Sequence, residues 1–424
     1  MIQNEDQQPE RAILAGVCTS ELDSLTDTTD RSMAELAELA KTAGAVVIGS
    51  MVQNKNKIEN GTYMGEGKLQ ELKEMAQNME ADLIIFDNEL TPVQNRNISD
   101  ALGVRVIDRT TLILDIFAKR AQSRAGKIQV ELAQLRYMMP RLTIQGSSFS
   151  RMGAGIGTRG PGESKLETSR RYLKTRISHL RAELAEIDKN HELLRRRRIK
   201  NNIPVVALAG YTNAGKSSLL NYLTDAGVLA ENKLFATLDP TVRLLTLPDN
   251  RSVLLSDTVG FINKLPHQLI DAFKSTLDEV LYADLILNIV DVADENYNDH
   301  ITVVNRLLED IGVSGKSIVC VLNKTDLVED KSLIPKHIAE AVETIAISVK
   351  TGYHIDELVD IIGRYSLGAK QKFELEIPFE DGKILNDLHQ NYTVENEEYT
   401  ESGVLLTVWL DEIMYRRCAS YVKN

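Results

Sequence analysis

The run with the clearest chemistry is Gly210-Tyr211-Thr212-Asn213-Ala214-Gly215-Lys216-Ser217-Ser218, set between the apolar stretch 203–209 and a helical pattern. A strand, then G-x-x-x-x-G-K-S, then a helix is the arrangement of a phosphate-binding loop. Its glycines let backbone N–H groups close around a β-phosphate, and the helix N-terminus favours the negative charge. Lys216 would reach the β- and γ-phosphates, and the Ser217 hydroxyl would bind Mg2+. Alone, such a loop specifies a nucleoside triphosphate but not its base.

The base is read further along. Residues 254–260 form an apolar strand ending in Asp257-Thr258-Val259-Gly260. In this D-x-x-G, Asp257 can hold Mg2+ through water and the Gly260 amide can sense a γ-phosphate. A second apolar strand, 318–322, delivers Asn323-Lys324-Thr325-Asp326. The Asp326 carboxylate can accept from both guanine N1–H and the exocyclic amine; adenine lacks that donor pair and would leave the acid unpaired. A third run, 345–347, leads into Ser348-Val349-Lys350, where a backbone amide could meet guanine O6. Each motif ends an apolar strand, where open α/β sheets bind ligands. The set implies a guanine-nucleotide site that hydrolyses GTP to GDP. Between the first two motifs lies Phe235-Ala236-Thr237-Leu238-Asp239-Pro240-Thr241, the place for a nucleotide-sensing threonine. Thr237 and Thr241 both qualify by position.

At 424 residues the chain suggests roughly two to four domains, and 43% apolar with 26% charged residues suits a globular protein. No apolar run approaches a membrane span, so stable membrane insertion is not expected. Cys18, Cys320 and Cys418 are far apart and read as reduced thiols of a cytoplasmic protein. Net charge is −12, yet residues 119–200 carry 20 Lys/Arg against 7 Asp/Glu, leaving 29 against 54 elsewhere. One basic segment in an acidic chain predicts a localised polyanion-binding element.

Four layers of organisation follow. Residues 1–110 alternate strand and helix and predict a mainly parallel α/β domain. Within it Gly65-Glu66-Gly67-Lys68 has a phosphate-binding look without the loop spacing. Residues 111–200 predict a helical arm: one helix over 111–139, ended by Pro140, and a second over 163–200. Between them 145–162 holds six glycines with Arg151 and Arg159, a cationic loop suited to folded RNA. Arg195-Arg196-Arg197-Arg198 closes the arm. Residues 201–367 form the P-loop GTPase domain. Residues 368–424 predict a small α+β unit with strands at 373–378 and 403–410, a helix at 382–390, and Trp409 in its core.

These residues resemble the HflX-type GTPases, ribosome-associated members of the Obg/Era group. The likeness rests on GYTNAGKSS, on FATLDPTVR (235–243), and on GAGIGTRGPGESKLE (153–167) followed by Arg170-Arg171, and it spans about residues 10–367. It implies docking of the N-terminal domain and arm on the large ribosomal subunit, with its rRNA near the peptidyl-transferase centre. It also implies splitting or rescue of stalled ribosomes in the GTP form, and Thr237 as the Mg2+ ligand beside Ser217. The nucleotide contacts it implies include Phe235, Ala236, Thr237, Leu238 and Asp239. A monomer is expected. The alternatives are a large-subunit assembly GTPase, or a membrane-linked regulatory GTPase whose basic arm meets anionic lipid. A further one is an ATP-dependent RNA-remodelling activity through Gly65–Lys68.

Two residues shape the expected reaction, for which Lys216, Thr237, Gly260 and Asn213 are the catalytic candidates. Phe261 stands where many GTPases carry a water-orienting Gln, and it cannot hydrogen-bond, so intrinsic turnover is expected to be slow and raised by the ribosome. Asn213 resembles the residue that holds K+ in potassium-stimulated relatives, where the cation supplements the transition-state charge. GTP turnover is therefore predicted to be faster in KCl than in NaCl at matched ionic strength; equal rates would remove K+ from the account.

Overall fold

The computed structural model describes residues 9–19, 29–150, 161–200, 203–224, 234–235, 241–264, 279–313, 315–367, 371–400, 402–410 and 412–423. Its chain forms two compact units. The first comprises Met1–Glu192 with two later segments, Glu231–Asp239 and Ile262–Ser275; the second comprises Leu193–Ala230, Pro240–Phe261 and Thr276–Asn424.

The first unit is built on a parallel sheet of β1 (Arg11–Thr19), β2 (Val46–Lys55), β3 (Leu83–Phe86) and β4 (Arg105–Asp108), in the order β2-β1-β3-β4. Most of β1 and all of β3 are buried, as a central parallel strand covered on both faces requires. Helices α1 (Thr29–Ala43), α2 (Glu66–Asn78) and α3 (Pro92–Leu102) make the crossovers. Thr91 and Gln94 cap α3 reciprocally, and left-handed Gly103 stops it. The Gly65–Lys68 run opens α2 well after β2 has ended; Gly65 N–H donates to Gln53 and the Lys68 ammonium pairs with Glu71 at 2.6 Å.

The expected single helix over 111–139 is two: α4 (Arg109–Arg120) and α5 (Arg124–Ser150). Ser123 divides them, its hydroxyl accepting from Gly126 N–H at 2.9 Å as an N-cap does. Pro140 does not end α5, which continues to Ser150, so part of the expected loop at 145–162 is helical. Next to the proline, Arg141 donates to Leu90 O at 2.8 Å and to Asp108 at 3.1 Å, holding this turn against β4. Asp108 is fully buried, caps α4 through Thr111 N–H, and accepts from Tyr137 of α5. Burial and the Asp108 charge push the Tyr137 phenol up, so the tyrosine remains a donor. Helix α6 (Pro161–Lys200) then packs Ile177 and Leu180 on Ile128 and Leu132 of α5, and Arg176 makes a bidentate pair with Glu131 at 2.7 and 2.8 Å. Residues 151–160, with Arg151 and Arg159, lie outside the described residues.

Where the strand order reverses, between β1 and β3, an open parallel sheet presents a crevice at its carboxyl ends. Here the chain's own Lys264 enters it: Nζ donates to Asp87 at 2.7 Å and to Ser32 at 2.8 Å. Arg109 donates to Asp87 at 2.8 Å, pairs with Glu35, and donates to Asn263 O at 3.2 Å. Asp87 is 3% exposed, and burial alone would raise its pKa. The Arg109 and Lys264 charges outweigh that and hold it below the usual carboxylate range.

The second unit contains β5 (Val205–Gly210), β6 (Thr241–Thr246), β7 (Ser252–Asp257), β8 (Leu285–Asp291), β9 (Ser317–Asn323) and β10 (Glu343–Ala346). Their order is β10-β9-β8-β5-β7-β6, parallel except for the edge pair β6–β7. Helices α7 (Lys216–Thr224), α8 (Tyr297–Ile311) and α9 (Ile355–Leu367) belong to this layer, α9 burying Leu358, Ile361 and Ile362 with Val206, Leu208 and Leu287. Two further helices, α10 (Gly382–Asn391) and α11 (Glu412–Cys418), accompany an antiparallel sheet of β11 (Gln371–Ile377), β12 (Thr393–Tyr399) and β13 (Val404–Leu410), ordered β11-β13-β12. Trp409 is not in that core. Val404, Leu406, Val408 and Leu410 face inward, and the alternate register turns Trp409 out to Glu395, to which its indole donates at 2.7 Å.

Because Asp87 has a lowered pKa, its contribution to stability is complete above the ordinary carboxylate range and is lost as pH falls through the lowered value. Asp87→Asn removes the carboxylate that Arg109 and Lys264 share, leaving Glu35 paired with Arg109. It should cost about 3 kcal/mol at neutral pH, with the deficit shrinking in acid, as read by calorimetric unfolding across pH.

Candidate functional site

The four motifs meet at the carboxyl end of the six-stranded sheet because the register aligns their strands: Leu208 faces Asp257, and Asp291 faces Asn323. After β5 the chain turns through Tyr211–Gly215, with Asn213 in the left-handed region at φ +62° and exposed. Gly215 sits at φ +102°, and a Cβ there would lie 2.3 Å from Asn323 Nδ2. Only glycine lets the two loops come so close. Asn323 Nδ2 donates to Ala214 O at 2.9 Å, and its Oδ1 accepts from Val349 N–H at 3.2 Å. One amide therefore joins the phosphate loop, N-K-T-D and the Ser348–Lys350 turn.

D-x-x-G is fastened to the same loop by main chain. Thr212 N–H donates to Phe261 O at 2.8 Å, and Phe261 N–H to Gly210 O at 3.1 Å. The Thr258 hydroxyl donates to Leu208 O at 2.6 Å. A Cβ on Gly260 would stand 2.9 Å from Thr212 Cγ2 and 3.1 Å from Lys216 Nζ, so the glycine brings its amide beside the lysine. Phe261 is buried, its role here one of packing and strand pairing. The Tyr211 ring leaves the loop to stack on His300 of α8, centroids 3.9 Å apart.

Lys216 is 6% exposed, and its Nζ donates to Tyr211 O at 2.8 Å and Gly210 O at 3.1 Å. Burial pushes its pKa down to about 8, against the opposing Asp257 charge. Ser217 Oγ donates to Asp257 Oδ2 at 2.7 Å. A hydroxyl and a carboxylate oxygen side by side are hard donors, and with phosphate oxygens they fit Mg2+.

In the base loop, Asp326 accepts from Ser348 Oγ at 2.7 Å and lies 3.9 Å from Lys350, which is largely exposed. Thr325 Oγ1 donates to Ile347 O at 2.9 Å. Ser218 lies in the first turn of α7, and Val349 follows Ser348 in the turn that meets Asn323. Phe235 is buried, its ring edge-on to Phe117 at 4.7 Å. Ala236, Thr237, Leu238 and Asp239 lie outside the described residues, and Thr241 opens β6 opposite Asp257. Sequence reading missed β8 altogether, although its apolar run 285–290 ends in an acid as β7 does.

Residues 30–118 match a family model described as GTP-binding GTPase N-terminal, residues 120–198 one described as GTP-binding GTPase Middle Region, and residues 205–324 one described as 50S ribosome-binding GTPase. The chain is similar to GTPase HflX of Caldanaerobacter subterraneus subsp. tengcongensis, 48% identical over 93% of this chain and 90% of that protein. It is similar to GTPase HflX of Lacrimispora saccharolytica at 45% over 97% and 96%, and of Escherichia coli K12 at 39% over 92% and 93%. Among solved structures it is similar to a GTP-binding protein from the hyperthermophilic archaeon Sulfolobus solfataricus in complex with GDP. There the identity is 27%, the TM-score 0.43, and the match covers 84% of this chain and 98% of that one.

A buried lysine titrating near pH 8 gains a proton when anionic phosphate arrives. GDP binding should therefore take up protons between pH 7.5 and 8.5 and weaken as pH rises through that window. Calorimetry in two buffers of different ionisation enthalpy measures the uptake; a value of zero would contradict it.

Proposed function

The chain belongs to the HflX family of GTPases, and from that premise we propose that it binds the large ribosomal subunit and, in its GTP form, splits or rescues stalled ribosomes. Hydrolysis then resets it. The observation that carries this reading is the basic arm of an otherwise acidic chain. On α6, Arg170, Arg171, Lys174 and Arg181 are all exposed, and the helix ends in four consecutive arginines. A basic helix of 40 residues, about 60 Å long, suits the phosphate backbone of folded RNA. The description of the family model matched by residues 205–324, 50S ribosome-binding GTPase, supports the same partner.

In this reading the loop Gly210–Ser218 cradles the phosphates, Lys216 exchanges its two carbonyl partners for β- and γ-phosphate oxygens, and the Gly260 amide meets the γ-phosphate. Asn323, Lys324, Thr325 and Asp326, with Ser348–Lys350, hold guanine. Ser217, Thr237 and, through water, Asp257 would hold Mg2+, which neutralises charge on the transferring phosphoryl group. Asn213 would offer its amide oxygen to K+. With Phe261 buried and unable to orient water, attack waits for a group or an ordering supplied by the ribosome, a gain of roughly 10³–10⁵ in such systems. Among the described residues no helix is long and apolar enough to cross a membrane. We place the protein in the cytoplasm as a monomer.

Sucrose-gradient sedimentation of intact ribosomes with the protein and a non-hydrolysable GTP analogue tests this. Conversion to free subunits with the analogue, but not with GDP, is the expected result. Co-migration with large subunits without loss of intact ribosomes would favour an assembly role. Absence of co-migration would sink both, and vesicles of anionic lipid would then be the partner to try.

A further inference from the structure

At the end of β8 stands an acid that belongs to none of the four motifs. Asp291 is opposite Asn323 in the β8–β9 register, and Val292 N–H donates to Asn323 O at 3.1 Å. The strand pair thus delivers Asp291 alongside N-K-T-D. Both of its oxygens are used: Oδ1 accepts from Ala293 N–H at 3.1 Å, and Oδ2 accepts from Lys324 Nζ at 2.5 Å. The two side chains are 22% and 25% exposed, an ion pair mostly withdrawn from water. Lys324 is also held from its own main chain, which lies in the left-handed region at φ +64°.

Each residue of N-K-T-D consequently has its own partner: Asn323 the phosphate loop, Thr325 Ile347 after β10, Asp326 the adjoining Ser348, and Lys324 Asp291. Three of these partners lie in loops already assigned to nucleotide binding. The fourth, Asp291, does not.

We propose that Asp291 is a positioning residue for the guanine base, acting through Lys324. A lysine stem has four carbons and many rotamers; fixed at the backbone and at the ammonium, it is set in place before the ligand arrives. It then offers an apolar floor to the flat purine face, while Asp326 reads the edge. A ring face carries no hydrogen-bond pattern, so the floor acts equally on any purine the site admits. This inference rests on the assignment of N-K-T-D to guanine, and its test keeps the two apart.

The full-length Asp291→Asn variant, which keeps an oxygen for Ala293 N–H, is titrated with GDP and with IDP, whose base lacks the exocyclic amine. Both affinities should fall roughly tenfold by the same factor, with kcat at saturating GTP changed less than twofold. Lys324→Met, which leaves β8 untouched, should cost a similar amount, and the double variant no more than either single one. Unchanged affinity in a normally folding variant would overturn the proposal, as would an altered GDP-to-IDP ratio or additive losses. Wild-type protein that failed to prefer GDP over ADP would instead remove the guanine assignment itself.

Discussion

Burying the side-chain amide of Asn323 imposes a condition on everything around it. A primary amide has donors at one end and an acceptor at the other, and when it is 3% exposed both ends must be satisfied within the protein. Here Nδ2 is met by Ala214 O and Oδ1 by Val349 N–H, so the phosphate loop and the Ser348–Lys350 turn stand one amide apart. That spacing fixes how far a ligand's phosphates sit from its base. Gly215 permits it by having no side chain, and the β8–β9 register sustains it by holding Asn323 at the strand end.

The same logic governs the buried charges. Lys216, Asp87, Arg109 and Asp108 are each at most 6% exposed; Asp87, Arg109 and Asp108 meet partners from a different stretch of chain, and Lys216 meets carbonyls of its own loop. Lone, such groups would be expelled or neutralised; satisfied, they tie one arrangement of elements together. Lys216 differs from the others in kind. Its hydrogen-bond partners are carbonyls rather than a carboxylate, so burial outweighs the Asp257 charge and depresses its pKa, the property of a group built to meet an anion.

What could be read in advance follows from this division. The strand-end motifs were legible because each rests on local sequence: a glycine, a lysine or an acid at a fixed offset from an apolar run. Three features escaped, two of them because tertiary contacts decide them. Pro140 stays inside α5 because Arg141 pins the next turn to Leu90 and Asp108, outweighing one lost helical hydrogen bond. Trp409 was assigned to the core by residue type, although strand parity with Val408 and Leu410 already turned it outward. Asp291 was passed over because its meaning lies in Lys324, a neighbour only in the folded sheet.

The entry of Lys264 into the crevice beside Asp87 has a consequence for the order in which the protein is made. Its partners Ser32 and Asp87 leave the ribosome early, as do Arg109 and Phe117 soon after, but Phe235 and Lys264 follow more than a hundred residues later. At roughly 5–20 residues per second the nascent first unit waits on the order of ten seconds for its last cation. During that interval Asp87 has Ser32 and Arg109 but not Lys264, and the Phe117 ring lacks its Phe235 neighbour. The domain synthesised first therefore reaches its final packing only after the chain carrying the phosphate loop has been translated.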